Sequence, residues 1–401
     1  MDVAGGEDLC VYCEGKGPFT GEHMFPAGLG GDDKRYILEG VVCGNCNTKV
    51  FSALEADYLR RAPIAIARFA FQEEGRDRGG KSRAPTLQTE VTEVLDTKSE
   101  KIFEAEMVPP FNKAKILPQI LFEADERCSV TAEDPAQLQS FFEKLLVLLE
   151  SDWVVLISKN TVEQKVWYTE ETYVWTGDIY TVKSSVQLDR VSKGAKIWFE
   201  RALASPPSST SHVRSPRLFQ RGNGNFSIRG EINAIAVYLG TARRLVQNIQ
   251  MSDVPQKTDK MEGYSVHIGM SMKVDSELRV LAKIGLNLAI QVYGHQYVRH
   301  SSFAKIKKFI LFGKKGGVKL LPLDTAKNLV GIAQWPDERH IICLGPMKLS
   351  ASQLALVLIV RLYGGPVQVI VLGESLAHPP NNGMYLCSVD YAKHLIELEV
   401  Q

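Results

Sequence analysis

Apolar positions recur at helical spacing in four stretches of this chain. Val50, Phe51, Leu54 and Tyr58 share one face of a helix starting at or beside Asn47, an N-cap type, with Lys49, Glu55, Asp57, Arg60 and Arg61 on its other faces. Asp134-Pro135 opens a second helix, because Asp caps well and Pro suits the first helical position. Leu138, Phe141, Phe142, Leu145, Leu146 and Leu149 form its stripe. A third begins at Asp275 or Ser276, carries Leu278, Leu281, Ala282, Gly285, Leu288, Ala289 and Val292 on one face, and closes at Gly294. A fourth runs from Ser302 through Phe303, Ile306 and Ile310 to Gly313.

Strand-like spacing fills much of the rest. Arg35 to Val42 reads as a short strand, Trp153 to Ile157 as a buried one, and Val166 to Val182 as strand-rich. The last third holds five runs: His340 to Leu344, Leu354 to Tyr363, Val367 to Leu372, Met384 to Val389 and Leu395 to Val400. With Gly364-Gly365 and Asn381-Asn382-Gly383 between them, they predict an antiparallel meander. Two stretches break the pattern. Residues 73–84, E-E-G-R-D-R-G-G-K-S-R-A, read as a linker. Residues 202–230 hold Arg214, Arg217, Arg221 and Arg229 and no acid amid Pro, Ser and Gly, which reads as a basic, structureless loop. The expected class is α+β, in three parts: 1–75, a mixed α/β middle region at 76–270, and an accessory or regulatory region at 271–401.

Composition changes this picture little. With 401 residues, 45% hydrophobic and 23% charged, the chain has ample core-forming residues for two or three domains. A net charge of +1 leaves nucleic-acid binding to local patches. The longest uncharged apolar run, Leu354 to Val360, is far short of a membrane span, and the acidic N-terminus has no signal-peptide core. Seven cysteines, an odd number, suit a reducing cytoplasm better than a disulfide framework.

The cysteines are also where the chemistry concentrates. C-V-Y-C at 10–13 and C-G-N-C at 43–46 are two C-x-x-C pairs, 29 residues apart. Cys10, Cys13, Cys43 and Cys46 therefore suit a tetrahedral zinc site of four thiolates. A region of about 50 residues buries little apolar surface, so the metal would supply much of its folding free energy. Between the pairs stand G-E-H-M-F-P at 21–26 and the Gly-rich turn G-L-G-G at 28–31. His23 is the only histidine among the first 211 residues, and four cysteines leave it no part in the zinc site.

C-x-x-C, then E-H-x-x-P with G-G, then C-x-x-C-N-x-x-K resembles the HNH (ββα-metal) endonucleases, in the subgroup with Glu-His for Asp-His and Asn for the final His. The specific match covers about residues 8–68. R-V-L-A-K-I-G-L-N-L-A at 279–289 and F-A-K-I-K-K-F-I-L-F-G at 303–313 resemble an accessory region of such proteins. The resemblance implies a small zinc-stabilised ββα-metal nuclease domain followed by a larger mixed α/β region ending in the meander. It implies that His23 is the general base activating water for attack on a DNA phosphodiester, and that Glu22 and Asn47 ligate a catalytic Mg2+ or Mn2+. Zinc would then hold the scaffold. The middle Asn of many HNH motifs is replaced by Leu38.

Two further readings stand beside this one. One is an anti-phage defence effector in which the nuclease is gated by a C-terminal ligand-sensing domain, with a small nucleotide as activator. The other is a non-catalytic zinc module that binds nucleic acid or protein. DNA is the expected partner in the main reading, a homo-oligomer is left open, and no membrane is involved. Arg299, Lys305, Lys307, Lys308, Lys314, Lys315 and Lys319 could follow a phosphate backbone or form a solvated helix face. G-N-G-N at 222–225 and G-K-K-G-G at 313–317 lack the context of nucleotide loops, and His295, His300 and His340 have no metal-binding spacing.

Overall fold

The computed structural model describes residues 9–31, 34–74, 84–89, 91–108, 113–123, 127–162, 165–191, 194, 196–201, 214–249, 261–270, 274–313, 316–325, 335–374 and 383–400. Most of the expected linker at 73–84, part of G-K-K-G-G, and residues 202–213 lie outside them. The chain divides into two compact units. One comprises Met1–Thr89, Pro109–Asn112 and Met270–Gln401, and the other Glu90–Val108 and Lys113–Gly269.

The first unit opens with a minimal hairpin. Strands β1 (Glu22–His23) and β2 (Ile37–Leu38) pair antiparallel, with Glu22 opposite Leu38 and His23 opposite Ile37. A wide helical turn, Asn45–Phe51, runs straight into α1 (Ser52–Arg61). The helix therefore begins two residues before Asn47, so Asn47 lies inside it rather than capping it. Pro63 then forces Ala62 into an extended conformation, which separates α1 from α2 (Pro63–Phe71). Arg35 to Val42 contains only the short β2, preceded by a 3-10 turn.

The second unit is built on two sheets. In chain order its elements are β3 (Val91–Asp96), β4 (Ile102–Val108), β5 (Lys113–Ile116), β6 (Gln119–Phe122), β7 (Cys128–Thr131), α3 (Pro135–Glu150), β8 (Trp153–Val162), β9 (Lys165–Trp175) and β10 (Tyr180–Leu188). They continue with β11 (Ile197–Arg201), β12 (Arg217–Gln220), β13 (Phe226–Gly230), α4 (Ile235–Asn248) and β14 (Tyr264–Gly269). The larger sheet has the order β10-β9-β8-β11-β13-β12-β6-β7, and the smaller β14-β3-β4-β5. Helix α3 starts as expected: the Asp134 carboxylate accepts the Gln137 N–H at 2.8 Å, and Leu138, Phe141, Phe142, Leu145 and Leu149 are buried.

The expected basic loop is a correction. Residues 217–230 form the β12–β13 hairpin, with 222–225 in its turn. Arg217 is completely buried and Arg229 nearly so. Arg214 binds Glu93 on β3 at 2.9 Å, Arg229 binds Glu104 on β4 at 2.9 Å, and Arg221 and Arg229 share Glu200 on β11. The stretch 202–230 itself holds no acid, and the partners of these arginines come from other strands. Removing one partner of such a buried cluster leaves an uncompensated charge, so the arginines hold sheets together.

The chain then returns to the first unit with α5 (Val274–Tyr293), α6 (His295–Val298), α7 (Ala304–Phe312), β15 (Lys319–Leu320), β16 (His340–Ser350), β17 (Gln353–Arg361), β18 (Gln368–Glu374), β19 (Tyr385–Asp390) and β20 (Leu395–Val400). The sheet is antiparallel, in the order β15-β18-β17-β16-β19-β20. Both faces of its central strands are covered, which explains their unbroken apolar runs. Ile342, Leu344, Leu356, Leu358 and Ile370 join one core, while Ile341, Cys343, Val357, Ile359 and Val369 join another with Trp335. Helix α5 lies against the first face, and Gly285 permits the approach, since a Cβ there would meet Leu372 at 2.9 Å. The expected parts 1–75 and 271–401 are thus not separate: Val11, Phe51 and Tyr58 share a core with Leu281, Leu288, Leu358 and Val389. Among the described residues no helix is long and apolar enough to cross a membrane.

His340 pins the Gly-rich turn to this sheet. Its Nδ1 accepts the Tyr363 N–H at 3.1 Å, so the ring proton sits on Nε2, which donates to the Leu29 carbonyl at 3.1 Å. Gly30, at φ +86°, lies so close to Tyr391 that a Cβ would come within 2.5 Å of its Cα. The glycines of G-L-G-G, whose number predicts a flexible turn, therefore serve a close-fitting contact instead. Burial pushes His340 down to about 3. A depressed histidine favours the fold fully above its unfolded value near 6.5, and the advantage is lost as pH falls from there toward 3, at up to about 1.4 kcal/mol per pH unit. Denaturant titrations between pH 7 and 4 should show His340→Gln less stable at pH 7 but with a shallower pH slope than wild type; equal slopes would remove His340 from the acid response.

Candidate functional site

The four cysteine sulfurs converge. All lie within 4.8 Å of one another, and Cys13 Sγ and Cys43 Sγ are 3.6 Å apart. Tetrahedral zinc with bonds of ~2.3 Å needs sulfurs about 3.8 Å apart, so the set fits that ion. The first knuckle closes through the Glu14 N–H to the Cys10 carbonyl and the Cys10 N–H to the Gly15 carbonyl, both 2.9 Å. Backbone N–H groups also reach the sulfurs, from Cys43 to Cys10 Sγ and from Gly15 to Cys13 Sγ, each 3.4 Å. Such bonds favour thiolates. A hydrogen bond from Cys46 draws Cys10 down to about 4, while Cys46 is pushed up. Cys10, Cys43 and Cys46 are buried and Cys13 is exposed. Among the described residues this is the one group of three or more His, Cys, Asp or Glu side chains able to hold a metal ion.

The knuckles and α1 frame the hairpin. Strand alternation sends Glu22 and His23 to opposite faces of β1. Glu22 is 4% exposed, and His23 is half-buried. Asn47 lies beside the start of β1: its Nδ2 donates to the Gly21 carbonyl at 2.8 Å and to Thr20 Oγ1 at 3.1 Å. The Asn47 nitrogen is thereby committed to the chain just before Glu22-His23, and its amide oxygen is the group left to meet a ligand. Leu38, opposite Glu22, is part of the core.

Glu22 meets partners that the sequence reading did not assign. Lys283 on α5, 1% exposed, forms an ion pair with Glu22 Oε1 and a second with Glu55 Oε1 at 2.5 Å. Asn287, one turn further along α5, donates from Nδ2 to Glu22 Oε1 at 3.1 Å and to the His23 carbonyl at 3.0 Å. Its Oδ1 accepts the Tyr12 hydroxyl at 2.6 Å. Tyr12 packs edge-on to Phe51, with ring centroids 4.8 Å apart, and Lys283 Nζ lies 5.1 Å from the Phe51 centroid. Burial pushes Glu22 up against the opposing pull of Lys283; for Lys283 burial acts downward, but Glu55 and Glu22 together hold it raised. Burial holds the Tyr12 phenol well above its ordinary range, so it remains a donor. The signal for these residues was two polar side chains, four apart, in the otherwise apolar stretch Val280 to Ile290 of the helix. What could not be read was the partner of either.

The donor set expected for a hard cation is therefore only half suited to one. The Asn47 amide oxygen fits, whereas Glu22 is buried and already has Oε1 against an ammonium and an amide. The basic residues near α7 also divide. Arg299 donates to the Leu9 carbonyl, Lys307 is buried within electrostatic reach of Glu14 and Cys10, and Lys319 pairs with Glu374. Lys305 and Lys308 are exposed, and Lys314 and Lys315 lie outside the described residues. Two members thus serve the first knuckle's surroundings rather than a phosphate track.

No protein-family model, curated protein or solved structure matches the chain. The four-cysteine site makes its own prediction. Metal analysis of purified wild type should find about one zinc per chain, and Cys43→Ser should lose most of it together with solubility or melting temperature. Zinc-free wild type and a normally folded Cys43→Ser would contradict the four-thiolate reading.

Proposed function

We propose that the protein is an endonuclease of the ββα-metal type that hydrolyses DNA phosphodiester bonds, with His23 as the general base. The observation that carries this reading is the placement of His23. It stands half-buried on a two-residue strand, its carbonyl fixed by Asn287, beside a helix whose Asn47 grips the residue before Glu22. Four clustered cysteines close the two ends of the same segment. The order is hairpin, then helix, as the motif resemblance requires.

In this reading the imidazole of His23 takes a proton from water as its oxygen attacks phosphorus; the bond to the 3′ oxygen breaks, its electron pair stays on that oxygen, and solvent supplies the proton that completes the leaving hydroxyl. An imidazole with an ordinary value near 6.5 is suited to that exchange at neutral pH. A divalent cation, when bound, would neutralise charge on the phosphate. Asn47 could hold it, while Glu22 is already paired with Lys283, so no step is assigned to the ion. Zinc held by the four cysteines would keep β1 and the Asn47 helix in register, its four thiolates leaving no position for substrate.

The test is plasmid cleavage by zinc-loaded protein with Mg2+ or Mn2+, alongside His23→Ala. Wild type should nick or cut, and His23→Ala should be slower by about a hundredfold or more. Equal, EDTA-insensitive activity in both would sink the reading. DNA binding without cleavage would favour the non-catalytic zinc module, and cleavage appearing only with an added cyclic nucleotide would favour the gated effector.

A further inference from the structure

Two carboxylates, Glu22 and Glu55, converge on one point between α1 and α5. Glu22 is 4% exposed, an aromatic ring lies at one side, and Asn287 adds an amide. Carboxylates gathered like this need a positive charge between them, because burial removes the water that would otherwise screen their repulsion. Here that charge is covalent, the ammonium of Lys283 at the end of an α5 side chain.

We propose that Lys283 is the resident cation of this site, filling the place against Glu22 and Glu55 that a divalent ion would otherwise take. Glu22 is then an anchor and not a metal ligand. Through it, and through Asn287 on the His23 carbonyl, α5 fixes the strand that presents His23. Lys283 is a positioning residue in this scheme, since it touches no reacting atom. For the endonuclease reading, on which this consequence rests, a hard cation near His23 would be held by Asn47 and the phosphate itself, without Glu22.

Mn2+ binding to the zinc-loaded full chain, followed by electron paramagnetic resonance, tests this independently of cleavage. Wild type and Glu22→Gln should bind Mn2+ alike. Lys283→Ala, which leaves the two carboxylates facing each other, should gain a site at least about tenfold tighter than any in wild type, and Glu22→Gln/Lys283→Ala should lose it again. Lys283→Arg should behave as wild type. If Lys283→Ala does not fold, Lys283→Asn, which keeps both carboxylates and leaves an amide oxygen beside them, should show the same Glu22-dependent gain. The proposal is overturned if Glu22→Gln weakens Mn2+ binding by the wild-type protein, or if neither Lys283 variant gains a Glu22-dependent site. Wild type that cuts no plasmid while these titrations run as expected would reject the endonuclease reading and leave the role of Lys283 standing.

Discussion

A hairpin with two residues in each strand cannot hold a shape of its own. Its few hydrogen bonds are repaid by water, and it buries almost nothing without a partner. Everything about the candidate site follows from how that deficiency is met. Metal-ready cysteines tie the ends of the segment, and α5 supplies the underside with Lys283 and Asn287. His340 grips the turn between the strands from the far sheet. Three devices, one local and two from distant parts of the chain, thus converge on this hairpin.

Such convergence explains what could be read from the amino acids and what could not. Local signals were legible. The Asp134-Pro135 helix start, the stripe at Leu138 to Leu149 and the five final strand runs all rest on patterns of a few residues. The paired cysteines were legible because ligand spacing is itself a local signal. The partners of Glu22 were not. A carboxylate beside a histidine looks the same whether it faces a metal ion or a lysine 261 positions later, and only the fold brings Lys283 there.

The arginines of β12 and β13 failed for the same reason in the opposite sense. Their stretch looked like an open basic loop because acids were absent from it. In the folded unit the acids arrive from β3, β4 and β11, and the charges turn inward. Local charge counting measures surface potential only when the charges are on the surface. Glu22–Lys283 and Glu104–Arg229 each put ions where an apolar pair would cost less to bury, which ties the position of both partners to a particular geometry.

The shared core of the first unit also bears on how the chain comes to be made. The Cys10–Tyr58 segment leaves the ribosome long before α5, because the whole second unit is synthesised in between. At ~5–20 residues per second that delay is roughly 10 to 40 s. Throughout it, Tyr12, Phe51 and Tyr58 lack the helix that covers them, and Glu22 lacks its ammonium. A metal gathered early by the four cysteines would hold the knuckles closed during that wait. In that sense a filled cluster would guard the nascent chain as well as support the finished one.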